Sequence, residues 1–110
     1  MKIERTENSI TWKYLFSGYS IPLLPETEFI YVPKKNRIYV KNIIDQRLEI
    51  TVYNMRAEEI DKRTYSHYFV NFFEKDGFAC MKYYDYSMQS YCTASFIEGA
   101  GISGIVQVQG

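Results

Sequence analysis

Few side chains in this 110-residue sequence could carry covalent or proton-transfer chemistry. His67 is its one histidine, and Cys80 and Cys92 are its two cysteines. Histidine suits general acid–base work because its pKa lies near neutrality. Here Tyr65, Tyr68 and Phe69 crowd it along the chain, and a lone histidine amid aromatics reads as a hydrogen-bonded packing residue. An enzyme built on His67 is the weakest of the functional readings, because no partner for it is readable. A metal shared by His67, Cys80 and Cys92 would use none of the short ligand spacings of a zinc knuckle and would lack a fourth ligand. The adjacent carboxylates Glu58 and Glu59 point in different directions on a helix, so they form no proton-sharing pair. No catalytic set, metal or cofactor is expected.

Gly99-Ala100-Gly101-Ile102-Ser103-Gly104 matches the G-x-G-x-x-G pattern. In a dinucleotide site that loop opens a helix whose N-terminus holds the pyrophosphate, and an acidic residue follows about 20 positions on. The chain ends too soon after Gly104 for either, and Val106-Gln107-Val108-Gln109 alternates like a strand. The glycines read as a hairpin loop. Ser103 also lacks the spacing of a nucleophile elbow.

Binding chemistry is better represented. Residues 33–47 hold Lys34, Lys35, Arg37, Lys41 and Arg47 against the single carboxylate of Asp45, in a chain whose formal net charge is zero. Alternation along a strand puts Arg37, Tyr39 and Lys41 on one face, which is expected to be wet. Tyr31 and Tyr53 are candidate neighbours, depending on register. Cations beside aromatic faces offer phosphate neutralisation and base stacking, the needs of a single-stranded nucleic acid. They equally suit an acidic protein patch anchored by tyrosine, and lysines on an exposed hairpin also serve to block strand addition. A second cluster, Tyr83-Tyr84-Asp85-Tyr86 with Met88 and Tyr91, cannot be core on both faces, because each buried phenol needs a hydrogen-bond partner. Exposed tyrosine with methionine reads as a protein-contact surface.

The elements that must position these residues are mostly strands. Tyr (11) and Phe (7), together with β-branched residues, outweigh Met (4) and the other apolar helix formers, and such side chains pack on a pleated surface. Residues 2–6 and Ile10–Phe16 are expected strands. Ser17-Gly18 is expected to break the second, and Pro22 and Pro25 to mark an extended linker. Glu28–Val32, a turn at Pro33–Asn36 and the return Arg37–Lys41 form a hairpin. A loop over Asn42–Gln46 leads to Arg47–Tyr53, with Leu48, Ile50 and Val52 on one face. This clean alternation predicts one buried and one solvated face. Asn54 is placed to cap a short helix over 55–63, supported by Glu58–Lys62 and Glu59–Arg63 pairs. Residues 64–74 read as a strand because aromatic and β-branched residues dominate it, turning at Glu74–Gly77 into a return strand Phe78–Asp85; the alternative is a continuing helix with Ile60, Thr64, Tyr68 and Phe72 as its stripe and Gly77 as its C-terminal cap. Ser90–Ile97 and Ile105–Gln109 close the chain as a hairpin.

The expected fold is thus mainly β: one domain over residues 1–110, a small antiparallel barrel or curled sheet of about six to eight strands with one short helix near 55–63. No apolar run approaches the ~20 residues of a membrane span, and Met1–Arg5 alternates charged with apolar residues, unlike a signal peptide. A cytoplasmic protein is expected, with Cys80 and Cys92 as reduced thiols packed like small hydrophobes. Zero net charge also favours self-association, and a homo-oligomer is among the expected states. The leading function reading is a non-enzymatic protein-binding module or small inhibitor-type accessory protein. It would act through Lys34, Lys35, Arg37, Tyr39, Lys41, Tyr53, Tyr84 and Tyr86, with a protein as partner. Residues with AT-rich codons are abundant, which suggests a low-GC bacterial or phage source and so an immunity or counter-defence role. The alternative is a β-barrel binding single-stranded nucleic acid through the hairpin 33–47.

Overall fold

The computed structural model describes residues 1–45, 47–65, 68–97 and 105–108, with backbone alone at 68–70 and 105–108. Its strands are β1 (Glu4–Arg5), β2 (Ser9–Tyr14), β3 (Ser17–Pro22), β4 (Glu28–Val32), β5 (Arg37–Ile44), β6 (Arg47–Asn54), β7 (Glu59–Tyr65), β8 (Tyr68–Lys75), β9 (Phe78–Asp85), β10 (Ser90–Phe96) and β11 (Ile105–Val108). They form three antiparallel sheets in sequence order: β1–β3, β4–β7 and β8–β11. The protein is mainly β, as its composition implies. The sheets do not close into a barrel, and the described strands exceed the expected six to eight.

The register between β5 and β6 decides how the sheets stack. Ile38 pairs with Tyr53, Tyr39 with Val52, Val40 with Thr51, and Lys41 with Ile50. Paired residues share a face. The apolar set of β5, Ile38 and Val40, therefore lies on the opposite face from the apolar set of β6, Leu48, Ile50 and Val52. A sheet with apolar residues on both faces must be covered on both. Ile38 and Val40 join Ile10, Trp12, Ile21, Leu23 and Met55 in a core shared with β1–β3. Tyr39, Leu48, Ile50, Val52 and Tyr65 join Phe72, Met81, Tyr83, Ala94 and Phe96 in a core shared with β8–β11. The sheet β4–β7 is thus the middle of three layers.

This corrects the expected wet face. Tyr39 is 1% exposed, because its face meets the third sheet. Its ring lies 6.4 Å from that of Phe96, which also makes edge-on contacts with Tyr65 and Phe72.

The expected helix at 55–63 is also overturned. Asn54 does cap the chain, but it caps a turn. Its Oδ1 accepts from the backbone N–H groups of Arg56 and Glu58, both at 3.0 Å, and its Nδ2 donates to Glu58 Oε1 at 3.0 Å. Ala57 turns through φ +60°, and Glu59–Tyr65 then pairs along β6 as strand β7. Ladder bonds to β6 outweigh the weak helix propensity of a short charged segment. The cations and carboxylates instead form the pairs Lys62–Glu59 and Arg63–Asp61, each at 3.2 Å.

The third departure lies near the N-terminus. Ser17-Gly18 does not break the structure, since Ser17–Pro22 is strand β3, paired throughout with β2. The reversal comes at Leu15-Phe16, with φ of 49° and 70°. The loop expected over 42–46 is also shorter than read, because Asn42, Ile43 and Ile44 pair with Glu49, Leu48 and Arg47 and extend β5. The turns at 33–36 and 74–77 follow the sequence. Pro33–Lys35 is a 3-10 turn closed by Asn36 in the left-handed region, and Asp76-Gly77 links β8 to β9 with φ of 55° and 80°. The span 64–74, expected as one strand, belongs to two: Thr64 and Tyr65 end β7 in the second sheet, and Tyr68 begins β8 in the third.

Candidate interaction surface

The basic hairpin is assembled as expected, but its residues are largely engaged with the fold. Lys35 Nζ sits 3.6 Å above the Phe78 ring. The Lys34 side chain runs beside Gly77, where an added Cβ would come within 3.1 Å of Lys34 Cδ. Both lysines therefore pin the β4–β5 connection to the β8–β9 turn. Arg37 donates to the Asn36 carbonyl at 3.0 Å. Lys41 pairs with Glu28 across the β4–β5 ladder at 2.6 Å, with its side chain 15% exposed. Tyr39 is core. Tyr31 and Tyr53 both pair with Ile38, so they lie on the other face of the sheet from Tyr39 and Lys41, packed against the first core. Burial pushes the Tyr53 phenol up, helped by the charge of Glu59. The hairpin therefore presents no exposed surface on which Arg37, Tyr39 and Lys41 act together.

The tyrosine cluster is different. In β9, Met81 and Tyr83 point into the core, while Lys82 and Tyr84 point out. Tyr84 pairs with Tyr91 across the β9–β10 ladder. The Tyr84 ring meets those of Tyr86 and Tyr91 edge-on, at centroid distances of 4.9 and 5.1 Å. Such geometry sets the positive ring edge of one against the negative face of another. Lys82 Nζ lies 5.4 Å from the Tyr91 ring, within cation–π range. Tyr86 is 71% exposed, Tyr91 56% and Met88 51%. The three outward tyrosines form one continuous aromatic surface with a cation at its margin.

The connecting loop is held by its own side chains. Asp85 Oδ1 accepts from the Ser87 hydroxyl at 2.6 Å, the Ser87 N–H at 2.9 Å and the Met88 N–H at 3.3 Å. This is the Asx-type closure for which aspartate is favoured in turns. The alternation Tyr83 in, Tyr84 out was legible in the sequence. Lys82 was missed, although its parity with Tyr84 marks it.

Elsewhere, Cys80 and Cys92 are buried free thiols, as expected. Burial pushes the Cys80 thiol up, away from the reactive thiolate. Tyr65 stands in a small cleft beside Arg63 and Phe96, where burial pushes its phenol up to about 12 against the opposing charge of Arg63. Its hydroxyl and Arg63 Nη1 are buried without hydrogen-bond partners among the described residues. No group of three His, Cys, Asp or Glu side chains among the described residues is arranged to hold a metal. No helix among them is long and apolar enough to cross a membrane. His67 and the Gly99–Gly104 loop, with Ser103, lie outside the described residues. Comparison of the chain with known protein families, with curated proteins and with solved structures finds no match.

Proposed function

We propose that this is a non-enzymatic protein-binding module, an accessory or inhibitor-type protein, whose contact surface is the tyrosine cluster Tyr84, Tyr86 and Tyr91 with Lys82 and Met88. The observation that carries the reading is the half-buried Tyr84 ring in edge-on contact with both Tyr86 and Tyr91, which are exposed, beside a loop closed by Asp85. Tyrosine supplies large amphipathic contact area with little rotamer freedom to lose, and a tip already ordered costs less to bind than a flexible one. Engineered binding loops rich in tyrosine and serine work in this way, and the segment Tyr83–Tyr91 has that composition. A phage or bacterial immunity role fits the small size and the residue usage. Nucleic-acid binding through residues 33–47 is the less favoured reading, because its stacking residue Tyr39 is enclosed in the core and Lys41 is paired with Glu28.

The test is quantitative affinity capture from the source cell with the wild-type protein and the Tyr86→Ala/Tyr91→Ala variant as baits. A defined protein retained by the wild type at high salt and lost at least tenfold with the variant is expected. Equal retention by both baits would overturn the reading.

A further inference from the structure

In the first sheet β3 pairs with β2 alone among the described strands, so one of its edges is open. The register says which main-chain groups line that edge. Just beyond the ladder, the Leu23 N–H donates to the Asn8 carbonyl at 2.8 Å. Bonded and non-bonded pairs alternate along an antiparallel ladder. Counting back from Leu23, Ile21, Tyr19 and Ser17 turn their main-chain groups toward β2, and Gly18 and Ser20 turn theirs away. Both of these residues are exposed, and no atom lies within 4 Å of where a Gly18 Cβ would stand.

An open edge is a template for another chain, and proteins guard such edges with charge, proline, bulges or short length. The other edges here are guarded. β1 is two charged residues, β4 carries Glu28 and runs into Pro33, and β7 carries Asp61, Lys62 and Arg63. β8 ends on Glu74-Lys75 and shifts register between Phe69 and Asn71, and β11 is only four residues long. β3 has six residues, no charge, no register shift and a proline only at its end. Exposed apolar side chains flank it, with Leu15 and Phe16 at the turn and Leu24 beyond Pro22. The turn holds Leu15 and Phe16 in the left-handed region, where a Cβ is strained, so neither propensity nor packing accounts for them.

We infer that the open edge of β3 is a docking site for an extended, uncharged segment of a partner protein, which joins the first sheet as a fourth strand. Main-chain bonds to Gly18 and Ser20 supply affinity with little regard to sequence. Side chains supply the choice. Those opposite Gly18 and Ser20 share their exposed face. The one between them lies on the covered face beside Tyr19 and Ile21, where a charge would be desolvated without a partner. The fitting segment is thus neutral, with apolar residues at alternate positions. This surface belongs to the first sheet and the tyrosine cluster to the third.

The probe is the peptide acetyl-Val-Thr-Val-Thr-Val-amide, followed by amide NMR spectra and hydrogen exchange of the protein. Saturable shifts centred on Gly18 and Ser20 are expected, with exchange at those two amides slowed about tenfold. The same peptide N-methylated at both threonines, and a version with glutamate at its centre, are expected to produce neither. Ser20→Pro removes an N–H that β2 does not use, a change an edge strand tolerates, and Ser20→Lys supplies the guard the other edges carry. Both variants are expected to keep the wild-type melting temperature and to lose the peptide. The Tyr86→Ala/Tyr91→Ala variant is expected to bind it as the wild type does, so this inference and the proposed function stand or fall separately. An absence of shifts in the wild type would overturn the proposal, as would equal binding of the N-methylated peptide or undiminished binding by both Ser20 variants. Shifts at Gly18 and Ser20 on concentrating the protein without peptide would also overturn it, by marking the edge as a contact between copies.

Discussion

Single residues here are set by what their neighbours leave available. Tyr39 and Tyr84 are both strand tyrosines beside a cation. One is sealed against Phe96, and the other lies outward against Tyr86 and Tyr91. Residue type does not distinguish them; the layer above does. Tyr65 shows the energetic side of burial. Its phenol ionises near 12 in the folded protein and near 10 in the unfolded chain. The folded state therefore holds the proton more tightly. The stabilisation is complete below pH 10 and is lost as pH rises through 12, with a magnitude of roughly 3 kcal/mol. Tyr65→Phe should remove this alkaline loss. It should cost little at neutral pH, because the hydroxyl it deletes has no partner among the described residues. Urea denaturation of both proteins between pH 8 and about 12 checks this. An alkaline decline of equal size in Tyr65→Phe would assign the effect to other groups, of which Tyr53, also raised, is the nearest candidate.

Turns and registers determine what each element exposes. Where the turn residues are conventional, the strands follow from the sequence: Asp76-Gly77 fixes β8 against β9, and Asn36 ends the turn after Pro33. Where they are not, the sequence misleads. Leu15-Phe16 carries no glycine or asparagine, so the sequence points to a break at Ser17-Gly18, where β3 in fact begins. Asn54 closes a turn and not the expected helix; a capped turn and a capped helix begin with the same residue, and only the ladder to β6 separates them. Removing that side chain with Asn54→Ala should cost about 1–2 kcal/mol, since two backbone N–H groups lose their acceptor. The cost should appear in chemical denaturation with the slope unchanged. A neutral effect would mean that β7 pairing alone holds the turn.

At the scale of the molecule, one fact accounts for the largest misreading. The apolar residues of β5 and β6 each alternate cleanly, and each alone implies one wet face. Paired as Ile38 with Tyr53 and Tyr39 with Val52, they fall on opposite faces, so β5 and β6 bury apolar residues on both sides and only the edge strand β7 keeps an exposed row at Ile60, Lys62 and Thr64. The composition and most strand limits were legible in the sequence. The candidate site was half legible: Tyr86 and Tyr91 are exposed while Tyr83 is core, as the alternation implies, whereas the basic face disappears into a three-layer stack that only the register reveals. Because both cores depend on β4–β7, they should melt together. Ile38→Ala in the first core should cost about 2–5 kcal/mol and Tyr39→Ala in the second about 3–5. Each should lower a single calorimetric transition, with matching van't Hoff and measured enthalpies. Separate transitions would mean that the layers fold independently.

The central claim is that partner recognition rests on the outward tyrosines and not on the basic hairpin. The direct measurement is capture with two baits, Tyr84→Ala/Tyr86→Ala/Tyr91→Ala and Lys34→Glu/Lys35→Glu/Arg37→Glu, each compared with wild type for bound protein and bound nucleic acid. The account predicts that the tyrosine variant loses the protein partner at least tenfold while the charge reversal retains it, with binding little changed by salt. Salt-sensitive, nuclease-sensitive retention abolished by the charge reversal and untouched by the tyrosine substitutions would contradict it.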